Sequence, residues 1–193
     1  WDLKNAEKTI ADHIEHVTDP ERRAFAENFL QLFKTIEPKL TNLRQSLIHN
    51  DANDYNILVE SRGFNDWALN IIDFGDLVYT HTINELAICA AYMMLNKPDP
   101  IAAILPLIGG YFVDTINDKP SFLEKEIEVL YPLICARLCV SGIMSIYEHK
   151  LNPENDYLIL SQKPVWDTLQ RLKDVNPRFA HYTFRAACGL SPN

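Results

Sequence analysis

Residues 49 to 75 read HNDANDYNILVESRGFNDWALNIIDFG, and the reading of this stretch decides the fold. It holds two groups of acids and amides. The first is His49, Asp51 and Asn56; the second is Asp73, with Phe74 and Gly75 directly after it. Between them, Asn56 to Val59 has the apolar, β-branched character of a strand, Ser61 to Asp66 that of a turn, and Trp67 to Ile72 that of a partner strand. The expected hairpin brings the two polar groups side by side.

Such groups suit phosphoryl transfer, which asks a protein for positioning and charge neutralisation more than for covalent chemistry. A carboxylate must orient or accept the proton of an attacking hydroxyl, and Asp51, in its tight loop, is the candidate base. Hard oxygen ligands must hold Mg2+ against the phosphates, and Asp73 and Asn56 supply a carboxylate and an amide oxygen. His49 is expected to scaffold the loop by tying it to the segment before Asp73, rather than to carry protons. Gly75 is expected to let the backbone turn sharply after Phe74. The bland alternative is an Asx-rich structural loop, which leaves Asp-Phe-Gly behind the adjacent strand unexplained.

HNDANDYN followed by NIIDFGD resembles the catalytic and metal-binding loops of the aminoglycoside phosphotransferase and choline kinase family, small-molecule relatives of protein kinases. Most members carry glycine where this chain has Asn50, a residue that tolerates a left-handed backbone. The family usually has aspartate before Leu-Ala in its next helix, and here Glu85 precedes Leu86 and Ala87. Glu85 reads as structural, with a substrate-facing role as the alternative. Further resembling segments, WDLKN from Trp1, ICARLCVSGIMSIY from Ile134 and PENDYLILSQKPVWDTLQ from Pro153, spread the likeness over nearly the whole chain.

The resemblance implies transfer of the γ-phosphoryl of ATP or GTP, with Mg2+, to the hydroxyl of a hydroxylysine-like, amino-acid-like amino alcohol. Choline, homoserine, methylthioribose or an aminoglycoside are alternative acceptors within the family. A non-catalytic, pseudokinase-type interaction module is the alternative from another class. The family also has an N-terminal lobe with a phosphate-covering loop and a strand lysine. None of the six glycines forms a glycine-rich loop, and nothing before His49 reads as a sheet. The expectation is therefore a mainly α, helical C-terminal lobe of a protein-kinase-like fold, a single domain over residues 1–193 with one small β-hairpin at the catalytic loop, missing its nucleotide-binding lobe. The start at Trp1 rather than Met fits a piece of a longer chain.

Composition is consistent with this. At 193 residues and 47% hydrophobic, the chain can bury one core. The formal net charge of -8 argues against a nucleic-acid partner and suits a small cationic or zwitterionic substrate. No apolar run reaches a membrane span and no signal sequence opens the chain, so a soluble, cytoplasmic protein is expected. Cys89, Cys135, Cys139 and Cys188 lack CxxC pairing and read as core thiols.

Helices are expected at Leu3 to Val17, Pro20 to Ile36 (ended by Pro38), Thr82 to Leu95 (capped by Thr82) and Pro100 to Ile116, with Gly109 and Gly110 inside the last. Another should start at Ser121, with Pro132 dividing it from a buried helix over Leu133 to His149. Two shorter pieces flank Pro164, and a last helix runs from Pro177 to Cys188. Asp76 to His81 reads as irregular. Arg137, alone on an apolar helix, admits two readings: a buried structural ion pair, or a guanidinium fork for a substrate carboxylate. Asp76 is a further candidate for a metal or substrate amine, or a loop cap. Tyr79 and His81 are candidate pocket residues.

Overall fold

The computed structural model describes residues 2–114, 119–120 and 124–191. Helix dominates, as the sequence predicts. The helices are α1 (Ala6–His13), α2 (Pro20–Leu40), α3 (Ile83–Met93), α4 (Pro100–Phe112), α5 (Glu124–Leu151), α6 (Asp156–Leu172) and α7 (Pro177–Ala187). The strands are β1 (Gln45–Ile48), β2 (Ile57–Gly63), β3 (Asp66–Ile71), β4 (Val78–His81) and the short pair β5 (Val113–Asp114) and β6 (Lys119–Pro120). The expected helix start at Ser121 lies outside the described residues.

Helix α5 runs through the middle of the molecule, packed by α1, α2, α3, α6 and α7. It is long and apolar enough to cross a membrane by length and composition, contrary to the expectation that no stretch would be. However, 78% of its most apolar window is buried inside the protein, as befits a core helix. Burial pushes the Cys135 thiol up to about 12 and the Cys139 thiol well above its ordinary value, so both stay protonated.

Three prolines expected to end or divide helices sit inside them instead. Helix α2 continues through Pro38, α5 through Pro132 and α6 through Pro164, and α4 likewise contains Pro106. A proline in mid-helix leaves the carbonyl four residues earlier without its donor. For Pro38, Pro106 and Pro132 that carbonyl belongs to Lys34, Ala102 and Glu128, all solvent-exposed. Placed on exposed residues, these carbonyls are open to solvent, while Leu40, Ile108 and the run Tyr131 to Ala136 gain burial by staying helical.

The second departure concerns strands. Asp76 to His81 is not irregular throughout: β4 pairs antiparallel with β1, from Gln45↔His81 to Ile48↔Val78. The β2–β3 hairpin pairs Ile57↔Ile71, with a two-residue turn at Phe64 and Asn65 that is tighter than expected. Thr82 makes no capping bond to α3; its hydroxyl pairs with Ser46 Oγ at 2.8 Å, fastening β1 to the start of α3.

These two ribbons create the site. Between the pair Ile48↔Val78 and the pair Ile57↔Ile71 the chain opens into two facing loops, residues 49–56 and 72–77. By its register, one face of the hairpin carries Ile57, Val59, Trp67, Leu69 and Ile71, and apart from half-buried Ile57 these side chains are exposed. Isolated two-stranded hairpins are marginal in water, so this face lacks its usual cover.

Candidate active site

The first loop folds around Asp51. Its carboxylate Oδ2 accepts from Asn53 Nδ2 and from Asn56 Nδ2, both at 2.9 Å. Its Oδ1 faces Arg137 Nη2 at 3.3 Å, from α5, and Tyr92 OH at 3.4 Å, from α3. Asn53 Oδ1 in turn accepts from the Tyr55 and Asn56 amides, an Asx turn that fixes the loop. Asn50 has φ 69°, the left-handed backbone its side chain was expected to tolerate.

His49 joins the two loops. Its Nδ1 accepts the Asp51 amide at 3.3 Å, which leaves the proton on Nε2 to be donated to the Ile72 carbonyl at 2.8 Å. Its ring meets Phe74 edge-on at 5.2 Å. Both nitrogens are committed within the scaffold.

Asp73 has φ 61° and leads a single 3-10 turn, Phe74–Asp76, with its Oδ1 accepting the Gly75 amide at 3.3 Å. The left-handed residue at this turn is Asp73, and Gly75, expected to let the backbone turn sharply after Phe74, has no positive φ. Glycine serves differently here: a Cβ at position 75 would stand 3.3 Å from Asp73 Oδ1 and press on the carboxylate. The Ile72 amide donates to the Asn56 carbonyl at 3.0 Å, which sets Asn56 beside the residue preceding Asp73.

With its Nδ2 committed to Asp51, Asn56 has Oδ1 left for a cation, and the Asp73 carboxylate is exposed. Among the described residues no group of three His, Cys, Asp or Glu could hold a metal alone. The two oxygen donors fit Mg2+, which binds few protein ligands and completes its shell with phosphate oxygens and water.

Glu85, at the start of α3, turns its carboxylate to the loop and not to open space: Oε2 accepts from the backbone amides of His49 at 2.5 Å and Asn50 at 3.3 Å. Oε2 thus plays the structural part, while Oε1 is buried with no hydrogen-bond partner. Arg137, 5% exposed, is drawn into the Asp51 network. Asp76 and Tyr79 are both exposed, one ending the 3-10 turn and the other on β4. His81 is buried at the end of β4. Tyr92, on α3, carries no motif signal in the sequence; only the fold brings its hydroxyl to Asp51.

A model of the phosphotransferase enzyme family matches residues 1–120, which include every residue of the two loops, Glu85 and Tyr92 but not Arg137. Hydroxylysine kinases of Mus musculus, Bos taurus and Xenopus laevis are 30%, 30% and 31% identical to the chain. Those alignments cover 92%, 91% and 91% of this chain, and 48%, 47% and 47% of the relatives. The chain spans about half the length of the curated relatives it matches. No solved structure matches it.

Proposed function

The chain belongs to the phosphotransferase enzyme family, and we propose that it is the acceptor-binding and catalytic lobe of a small-molecule kinase. Its acceptor is a hydroxylysine-like amino alcohol and its donor ATP or GTP. The observation carrying this reading is the pair of facing loops, in which His49 links Asp51 to the segment ending at Asp73. The similarity to hydroxylysine kinases supports the acceptor class.

Asp51 receives the proton of the acceptor hydroxyl and orients its oxygen for in-line attack. Asn56 Oδ1 and Asp73 hold Mg2+, which when bound neutralises charge on the donor phosphates. His49 and Glu85 keep the loop in register from either side. Asp76 and Tyr79, exposed beside the second loop, are placed to meet the substrate amine.

The exposed apolar face of the β2–β3 hairpin supports a second element of the reading. A separate N-terminal lobe of the same protein covers that face and roofs the nucleotide. The 193-residue chain alone accordingly binds nucleotide weakly and turns over little.

The test is a panel of hydroxylysine, choline, homoserine and an aminoglycoside, each with ATP and with GTP and Mg2+, on the natural full-length protein. Turnover of hydroxylysine ahead of the rest is expected. Preference for another acceptor replaces the substrate. Absence of turnover with every acceptor overturns the reading in favour of a non-catalytic interaction module.

A further inference from the structure

Tyr92 lies on α3, 41 positions from Asp51 in sequence, yet its hydroxyl reaches the Asp51 carboxylate. We propose that Tyr92 is a positioning residue for the phosphoryl transfer inferred above: held from behind by Arg137, it designates Asp51 Oδ1 as the oxygen that takes the proton of the acceptor hydroxyl. The proposal rests on the phosphotransferase reading of the site.

The donors around the carboxylate are unevenly distributed. Oδ2 already holds two amide bonds of 2.9 Å from Asn53 and Asn56, a full complement at normal length. Oδ1 has only long contacts, 3.3 Å to Arg137 Nη2 and 3.4 Å to Tyr92 OH. The short bond in this triangle runs between the two helices, from Arg137 Nη2 to the Tyr92 oxygen at 2.8 Å. Nη2 has no lone pair, so the phenol oxygen is the acceptor there, and its single proton is directed at Oδ1. Burial pushes the Tyr92 phenol above its ordinary value, so that proton stays in place.

Tyr92 thereby does two things. It steadies Oδ1 against rotation of the carboxylate, and by taking the Nη2 bond it holds the guanidinium off Oδ1. With the phenol removed, Arg137 Nη2 loses its 2.8 Å acceptor and its 3.3 Å contact with Asp51 Oδ1 is expected to shorten into a charge-assisted pair, which competes with the substrate for that oxygen. In the reaction, the acceptor O–H bond breaks and its proton passes to Oδ1. The electron pair of the acceptor oxygen forms the bond to the γ-phosphorus, and the bond from that phosphorus to the bridging oxygen breaks, leaving its electrons on the nucleoside diphosphate. The carboxylate oxygen that serves this step must yield a donor to the acceptor O–H, and Oδ1, whose two contacts are both long, yields one more readily than Oδ2.

The experiment is Tyr92→Phe in the full-length protein, which keeps the ring and removes only the hydroxyl. The expected result is a kcat lower by about tenfold or more, with KM for acceptor and nucleotide within about twofold, because an alignment is lost and not a binding contact. A kcat within about twofold of the parent overturns the proposal, since ring packing alone then explains Tyr92. A thermal double-mutant cycle between Tyr92→Phe and Asp51→Ala reads the contact without turnover. Measurable coupling is expected, and additive melting shifts overturn the brace. Coupling found in a protein that phosphorylates no acceptor counts against the phosphotransferase reading and not against the contact.

Discussion

The carboxylate of Glu85 accepts the backbone amide of His49 across 36 positions of sequence, and takes the amide of Asn50 with the same oxygen. Helix α3 thus grips the loop through main chain, and among substitutions at positions 49 and 50 proline alone removes a donor outright. Removing this acceptor leaves two part-buried donors unsatisfied. Glu85→Ala is expected to destabilise the fold by about 2–6 kcal/mol, at roughly 1–3 kcal/mol for each orphaned donor. Glu85→Gln, which keeps an acceptor oxygen, should lose much less. Equal melting temperatures for Glu85→Ala and the parent protein would refute the grip.

Asp51→Asn is expected to lower kcat of the full-length protein by about 10²–10⁴-fold, the usual contribution of a general base. The substitution also turns one acceptor into a donor within a ring of four donors, Asn53, Asn56, Arg137 and Tyr92. A lowered melting temperature should accompany the kinetic loss, and a variant as stable as the parent speaks against the ring.

For Asp73→Ala, the Mg2+ concentration giving half-maximal turnover should rise by about tenfold or more. Asn56→Ala should show the same shift and in addition lower kcat at saturating metal, because Asn56 also anchors Asp51. Titrating Mg2+ at fixed nucleotide separates the two effects. Parallel curves for the parent and both variants would exclude these residues as ligands.

Two adjacent glycines in α4 carry opposite predictions. A Cβ on Gly109 would stand 2.6 Å from the carbonyl oxygen of Ala187, a backbone atom at the end of α7 that cannot swing aside. Gly109→Ala should cost about 1–3 kcal/mol. Gly110 meets nothing within 4 Å, and Gly110→Ala should stabilise by about 0.5–1 kcal/mol through helix propensity. Urea midpoints of the two variants should move in opposite directions.

His81 supplies a pH dependence. Burial holds its imidazole below the ordinary value of 6.5, with the nearby Asp2 carboxylate only partly offsetting this. The unfolded chain therefore takes up a proton first as pH falls. This contribution to stability is complete above pH 6.5 and is lost as the pH drops through the folded-state value. Melting temperatures should decline from about pH 7 to about pH 5, and less steeply in His81→Gln. Identical slopes would assign the decline to other groups.

The active-site loops were legible because their chemistry is local. His49, Asp51 and Asn56 lie within eight positions, and Asp73 follows on the adjacent strand, so spacing alone brings them together. What stayed hidden is non-local. The β1–β4 ribbon pairs residues about thirty positions apart, and neither four-residue strand is long enough to show a period. Tyr92 reaches Asp51 from a helix on which it reads as ordinary packing, and Arg137 stands out as a lone charge on an apolar helix without any sign in the sequence that its carboxylate is Asp51. The prolines misled for a different reason: the rule that they end helices assumes that the freed carbonyl is unsatisfied, whereas at Pro38, Pro106 and Pro132 it falls on an exposed residue.

The hairpin face also determines how the isolated chain behaves in a tube. Val59, Trp67 and Leu69 are each more than 60% exposed, Phe64 at the tip 97%, and the strands carrying them pair only with each other. Such a ribbon offers both apolar side chains and unpaired backbone edges to an identical neighbour. Self-association of these 193 residues is therefore expected to rise with concentration. A lysine on that face, as in Leu69→Lys, should delay precipitation while leaving the Asp51 loop untouched.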